Sequence, residues 1–292
     1  MTILNVLGLI TCSFLCLILF AIIFFILNGL YCNNHISINS YKIETNKVKN
    51  NYRIVLIADL HNKVFGNNND VLIQKIKEQK PDFVVAAGDM VFKKEKNVDI
   101  ARDLLCSISE FAPVYYGMGN HEKEIRYIAN INDEEEMNSV DMKHVFKDTN
   151  VKYMENETER FYKNSDEYIL IGAINGQPVY KNETEFFNRF KEESKGNFSI
   201  LIIHQPEHVI QHLSNDDLEL VLSGHTHGGQ FRIPFIGGLI CPNQGFFPKY
   251  DKGLFTEGET NLIITAGLGN SHKLPRINNP AEIVTIDIVP KE

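Results

Sequence analysis

None of the 37 Asp and Glu or 29 Lys and Arg residues of this 292-residue chain precedes Lys42. Such a break divides the chain between two solvents. From Ile3 to Leu30 the sequence is dominated by Ile, Leu, Phe, Val and Cys, with Asn5, Thr11, Ser13 and Asn28 as its only hydrogen-bonding side chains. As a helix this run would measure roughly 42 Å, against about 30 Å of hydrocarbon, so it spans a bilayer with some tilt. A buried core helix rarely runs so far without an ionisable group. A cleavable signal peptide would carry a basic start, a shorter apolar stretch and a small-residue cleavage site. Residues 3–30 are therefore expected to form a single-pass transmembrane anchor, residues 31–51, polar and Asn-rich, a linker, and residues 52–292 the soluble domain. Lys42, Lys47 and Lys49 follow the span closely, which favours a cytoplasmic domain by the positive-inside tendency.

The remaining composition excludes function classes. The net charge of −8 leaves no basic excess for counterion release, so nucleic-acid binding by bulk electrostatics is not expected. Of the five cysteines, Cys12, Cys16 and Cys32 lie in or beside the span and Cys106 and Cys241 far apart, with no C-x-x-C pair. Neither a thiolate zinc site nor a disulfide framework is indicated. The N-x-S/T triplets at Asn156, Asn182 and Asn197 carry meaning only in a glycosylating compartment.

Beyond the linker, strand and helix patterns alternate. Arg53 to Ala58, Asp82 to Ala87 and Pro113 to Tyr116 read as strands. A helix around Val71, Leu72, Ile73 and Ile76 stops before Pro81, and a second covers Val98 to Phe111. This βαβαβ order predicts a largely parallel sheet with its site at the carboxyl ends of the strands. A helix is expected from the acidic stretch Asp133–Glu136 to about Lys147. Strands are expected at 159–162, 168–173, 198–203, 218–222, 262–266 and 283–288, with helices at 184–193 and 207–213. The fold class is α/β: two mixed sheets packed face to face with flanking helices, preceded by one N-terminal transmembrane helix.

Five of these strands end in polar clusters: Asp59-Leu-His61, Gly88-Asp89, Gly119-Asn120-His121-Glu122, His204, and Gly224-His225-Thr226-His227. In an extended segment residues i and i+2 point the same way, so Asp59 with His61, and His225 with His227, can each hold one ion. Carboxylate, imidazole and amide oxygen without sulfur suit divalent Mn, Fe, Zn or Co. Seven such ligands favour two ions, and Asp89, with two oxygens, can bridge them. The glycines at 88, 119 and 224 are expected to let the backbone turn beside the ions.

This ordered set resembles the calcineurin-like metallophosphoesterase superfamily, over about Tyr52 to Ile288. The runs Asp-Leu-His-Asn from Asp59, Gly-His-Thr-His-Gly-Gly-Gln from Gly224 and Leu-Pro-Arg-x-x-x-Pro-Ala-Glu from Leu274 resemble its membrane-anchored bacterial branch, which includes phosphodiesterases and a lipid A precursor pyrophosphatase. The resemblance implies the α/β/β/α sandwich. It also implies one divalent ion held by Asp59, His61, Asp89 and His227, and a second held by Asp89, Asn120, His204 and His225. His121 is then no ligand but a proton donor to the leaving oxygen or a stabiliser of phosphoryl charge. Two such ions lower the pKa of a bridging water, which attacks phosphorus in line, so no enzyme nucleophile is required.

The expected function is hydrolysis of a phosphodiester or pyrophosphate bond, in a phosphate-containing, possibly lipid-linked substrate, at the membrane surface. The alternatives are a phosphomonoesterase and a non-catalytic metal-bearing scaffold, and a retained His121 beside Asn120 speaks for catalysis. Arg232, His272 and Arg276 are the candidate phosphate contacts, each in a Gly/Pro-rich or Gly/Asn-rich loop. A structural ion pair is the competing reading of both arginines. His208 and His212, at i and i+4, read as a surface pair, and His35 and His144 as solvated. The loop Phe231 to Phe247, with Phe235, Ile236, Leu239, Phe246 and Phe247, either touches bilayer or acyl chain or packs over the sheet.

Overall fold

The computed structural model describes residues 3–95, 97–131, 140–165, 167–176, 179–210, 218–270 and 275–291. Its first element is α1 (Ile3–Asn34). Every described residue from Leu7 to Leu27 is exposed, and the helix from Leu7 to Asn34 is long and apolar enough to cross a membrane. Its last turns behave differently, since Gly29 and Cys32 are buried.

Residues 31–51, expected as a linker, contain β1 (Ile36–Thr45), which pairs in parallel with a strand some 240 positions away. The segment looked structureless because its side chains are mostly polar. Those polar groups find partners across the strand pair: Ser37 Oγ donates to the Ala281 carbonyl at 3.0 Å, Ser40 and Thr285 hydroxyls lie 2.6 Å apart, and Asn39 Nδ2 donates to Glu282. Ile36 and Ile43 are the apolar anchors.

Then follow β2 (Tyr52–Ile57), α2 (Asp70–Glu78), β3 (Phe83–Ala87), α3 (Asp99–Ser109), β4 (Val114–Gly117), α4 (Asn120–Ile131), α5 (Met142–Phe146) and β5 (Val151–Met154). The chain continues through β6 (Glu157–Tyr162), β7 (Tyr168–Ala173), α6 (Lys181–Ser194), β8 (Ser199–Ile202) and β9 (Leu220–Ser223). A loop carries four two-residue strands, β10 (Arg232–Ile233), β11 (Gly237–Gly238), β12 (Ile240–Cys241) and β13 (Gly245–Phe246). Last come β14 (Gly253–Glu257), β15 (Thr260–Ile264) and β16 (Ala281–Pro290).

The helix expected over 133–147 is seen only as α5, residues 132–139 lying outside the described ones. Of the helix expected over 207–213, the described residues show a 3-10 turn at Pro206–His208, residues 211–217, His212 among them, lying outside the described ones.

The strands form two six-stranded sheets, in the orders β1-β16-β2-β3-β4-β5 and β14-β15-β9-β8-β7-β6. Pairing is parallel from β2 to β5 and from β15 through β9 and β8 to β7, while β16, β14 and β6 add antiparallel pairs. Strands buried on both faces read as unbroken apolar runs, with the two faces separated by alternation. In β2, Ile54 and Leu56 point to the seam between sheets, meeting Ile171, Ile200, Leu222 and Ile263. Val55 and Ile57 point outward to Leu72 and Ile76 of α2 and to Leu104, Leu105 and Ile108 of α3. On the far side Leu170, Leu201 and Val221 pack against Phe186, Phe187 and Phe190 of α6. The layer order is α/β/β/α, and the carboxyl ends of β2, β3, β4, β8 and β9 open on one edge of the sandwich.

Candidate metal centre

At that edge the chain leaves each strand by a tight turn, and the turns bring the acidic and imidazole side chains together. Asp59, His61 and His227 offer donor atoms to one point, His61, Asp89 and His121 to a second, and Asp89, His204 and His225 to a third. All are buried. Five of them hold a left-handed backbone: Asp59 (φ 52°), His61 (48°), Asp89 (53°), His225 (69°) and His227 (48°). Asp59 with His61, and His225 with His227, therefore converge without extended alternation; turns, with the strain that non-glycine residues carry at positive φ, aim them. Gly119 and Gly224 act differently from expectation too. A Cβ on Gly119 would sit 2.3 Å from Asp89 N and Oδ1, and one on Gly224 2.6 Å from Asp59 Oδ2, so both are needed for close approach rather than for turning.

Backbone donors fix the carboxylates. The His225 amide donates to Asp59 Oδ2 at 3.0 Å and the His121 amide, in the first turn of α4, to Asp89 Oδ1 at 2.8 Å. Glu122 anchors the turns beneath them. Its carboxylate accepts from the amides of Asp89 (2.9 Å), Gly119 (2.8 Å) and Val91 (3.2 Å) and from the Tyr116 hydroxyl (2.6 Å).

The donor set fits divalent ions. His61 Nε2 and His227 Nε2 face each other at 3.3 Å, and each is 3.8 Å from Asp59 Oδ1. Asp89 Oδ2 is 3.9 Å from His61 Nε2. Ligands bound to one ion at about 2.0–2.2 Å lie roughly 3–4 Å from one another, which these separations match. Asn120 Oδ1 and His225 Nε2 are buried without a hydrogen-bond partner, and His204 Nε2 faces only Asp89 Oδ2, at 3.1 Å. Orphaned polar atoms of this kind cost about 1–3 kcal/mol each unless an electrophile meets them.

Electrostatics keep the lone pairs available. Burial pushes His61 down to about 3 and His227 well below its ordinary value, so both are neutral imidazoles. Burial also raises Asp59. His204 moves the other way: burial lowers it, but the Asp89 carboxylate, 3.1 Å from Nε2, outweighs that and lifts it to about 10. Asp89 is correspondingly lowered, burial being overridden by its histidine neighbours. His204 Nδ1 lies 2.7 Å from the Ala87 carbonyl and donates to it, so Nε2 is the nitrogen an ion would take, displacing the proton that Asp89 otherwise holds there.

His121 differs. The Lys93 amide donates to His121 Nδ1 at 3.4 Å, so in the neutral ring the proton is on Nε2, 3.9 Å from Asp89 Oδ2. His121 also offers a donor atom to the His61–Asp89 pair, and the tautomer set by Lys93 would leave its Nε2–H facing the cavity. A cavity of about 290 Å³ opens over this set, lined by Asp89, Phe92, Lys93, Lys94, Asn120, His121, His225, His227 and Pro242.

Neither arginine reaches that cavity. Arg276 is fully buried and donates to the Gly269 carbonyl (2.6 Å), the Ala266 carbonyl (2.7 Å) and Asn270 Oδ1 (2.9 Å); it braces the loop after β15. Arg232 pairs with Asp251 at 2.7 Å and donates to the Gly228 carbonyl at 2.8 Å. Structural bonds thus hold both guanidinium groups in place of the expected phosphate clamp: carbonyls and Asn270 at Arg276, whose Nη1 stays buried without a partner, and the Asp251 carboxylate with the Gly228 carbonyl at Arg232. His272 lies outside the described residues. Sequence reasoning assigned no role to Glu122, although it stands in the Gly-Asn-His-Glu cluster, nor to Phe92, Lys93 and Lys94, whose proximity comes only from the loop after β3. It also missed Asn279, buried, whose Nδ2 donates to the His227 carbonyl at 2.6 Å.

Residues 52–229 match the family model described as calcineurin-like phosphoesterase. An uncharacterized metallophosphoesterase of Campylobacter jejuni is 30% identical over 263 residues, covering 87% of this chain and 64% of its own length. This chain therefore spans under two thirds of that relative. Phosphodiesterase YaeI of Escherichia coli is 27% identical over 82% of each chain. Among solved structures, a dimetal phosphatase from Danio rerio is similar at a TM-score of 0.38 and 11% identity, over 74% of this chain and 88% of that one.

Proposed function

From the premise that this chain belongs to the calcineurin-like phosphoesterase family, as a metal-dependent phosphoester hydrolase, we propose that it cleaves a phosphodiester or pyrophosphate bond in a membrane-borne substrate. Asp59, His61, Asp89 and His227 would hold one divalent ion, and Asp89, Asn120, His204 and His225 the other. When bound, such a pair supplies Lewis acidity toward phosphoryl oxygens and an activated water near neutral pH. The chain's own residues do the rest. Asp89, gripped by the His121 amide and with its turn held by Glu122, keeps the two donor sets in register. His121 presents Nε2–H to the leaving oxygen. Lys94 lines the cavity as a cation for the anionic group, beside Lys93, whose ammonium pairs with Glu124 at 2.6 Å, and Phe92, tilted against the His121 ring at 5.5 Å, limits how that ring can turn.

The observation that supports this most directly is the pair of neutral imidazole nitrogens 3.3 Å apart, flanked by the Asp59 and Asp89 carboxylates. The Escherichia coli relative named a phosphodiesterase favours the diester over the monoester. The anchor reading of α1 favours a substrate met at the bilayer, with the domain on the cytoplasmic side. The test is turnover by the full-length chain, loaded with Mn or Zn, of a soluble diester, a lipid-linked pyrophosphate and a monoester. Metal-dependent cleavage of the first or second above the third is expected. Monoester preference, or bound metal with no turnover of any of the three, would refute it.

A further inference from the structure

Phe235 is fully exposed, and Ile236, Phe246 and Phe247 are each more than half exposed, on the small hairpins of the loop after β9. Large apolar side chains grouped at the tips of one loop mark a surface with a partner. What that partner is follows from where the loop is tied. Asn278 joins it to α1: its amide donates to Asn28 Oδ1 at 2.8 Å, its Oδ1 accepts from Asn28 Nδ2 at 3.0 Å, and its own Nδ2 donates to the Arg232 carbonyl at 3.2 Å. The Arg232 amide in turn donates to the Ile277 carbonyl at 2.9 Å. A Cβ on Gly29 would lie 3.1 Å from Pro275 Cβ, so the helix packs directly on this segment. Cys32 Sγ accepts from the Asn279 amide at 3.4 Å.

The stretch of α1 exposed on every side ends at Leu27; from Asn28 on, the domain covers one face of the helix, burying Gly29 and Cys32 while Leu30 and Tyr31 stay exposed. If that part lies in hydrocarbon, the membrane surface falls at the level of Asn28, and the loop bonded to Asn28 through Asn278 stands at the same level. We infer that the exposed apolar side chains of this loop, Phe235 and Ile236 at the turn between β10 and β11 and Phe246 and Phe247 at the end of β13, insert into the bilayer interface beside the anchor. Aromatic rings and Ile suit that depth. Pro242, on the same loop, lines the catalytic cavity. The β12–β13 hairpin that carries Phe246 thus also reaches the cavity, through Pro242 at its turn.

This rests on α1 being a membrane anchor, and the test separates the two claims. The chain contains no Trp, so a single introduced Trp reports without background. Full-length F235W, F246W, F20W and Y162W proteins, each otherwise native, are reconstituted in phosphatidylcholine/phosphatidylglycerol vesicles with or without brominated phosphatidylcholine. Tyr162 pairs with Tyr168 at the strand ends opposite the metal cluster and serves as the water-exposed reference. Trp at 235 and 246 should emit to the blue of Trp at 162 and lose most of its intensity to bromine, as should Trp at 20. Quenching at 20 with none at 235 and 246 overturns the loop inference while keeping the anchor. No quenching at 20 overturns the anchor, and the loop inference with it.

Discussion

At the amino ends of β2 and β3, Arg53 pairs with Asp287 at 2.7 Å and Lys163 with Asp82 at 2.8 Å, in partly exposed, fully partnered contacts. At the opposite edge, past the carboxyl ends of β2, β3, β4, β8 and β9, Asp59, Asp89 and five histidines are buried, several in left-handed turns, and Asn120 Oδ1 and His225 Nε2 there meet no hydrogen-bond partner. The same apolar strands run between the two. The core fixes the position of both ends, but only one is left short of partners, and that shortage is what an ion can relieve. Satisfied charge marks the stabilising end and unsatisfied charge the chemical one.

The contrast can be broken most severely at Asp89. Asp89→Ala should abolish activity to background and leave less than the full metal content by elemental analysis; an active, metal-replete variant would contradict its place between the two sets. His121→Ala should keep its metals yet lose about 10² to 10⁴ in turnover, the usual worth of a proton donor. Wild-type turnover there would mean that Nε2–H is idle.

Metal affinity itself should depend on pH in a definite direction. In the metal-free protein His204, lifted to about 10, is protonated at neutral pH, and Asp59, raised by burial, takes up a proton as the pH falls; His61, near 3, does not. Binding displaces those protons, so affinity should rise with pH by about tenfold per unit for each proton displaced. Calorimetry in buffers of different ionisation enthalpy reads the proton count directly, and a buffer-independent heat would rule the scheme out.

The smallest effect belongs to the other end. Arg53→Ala removes an exposed ion pair and should cost about 0–1 kcal/mol in denaturant unfolding, with turnover unchanged.

How far this was legible follows from what each residue needs. The seven residues proposed as ligands stand out in the sequence because Asp, His and Asn at the ends of apolar strands are chemically conspicuous in one dimension. Their backbone is not, since positive φ at His61 or Asp89 leaves no mark on residue type; the reason given for their convergence failed even where the convergence did not. Strand β1 was hidden because its polar residues are satisfied by β16, a pairing that only the folded chain brings about. Arg232 and Arg276 looked like clamps because neither Asp251 nor the carbonyls after β15 are near neighbours in sequence.

The turns that surround the centre come from both sheets: Asp59, His61, Asp89 and Asn120 from one, and His204, His225 and His227 from the other. An ion held among them would fasten one half of the sandwich to the other, in the manner of a clasp. Occupancy then becomes cohesion, worth about 2.7 kcal/mol when free metal stands a hundredfold above its dissociation constant. Metal scarcity would slacken the seam as well as silence the chemistry, so the lifetime of the protein against proteolysis would follow the same supply as its turnover.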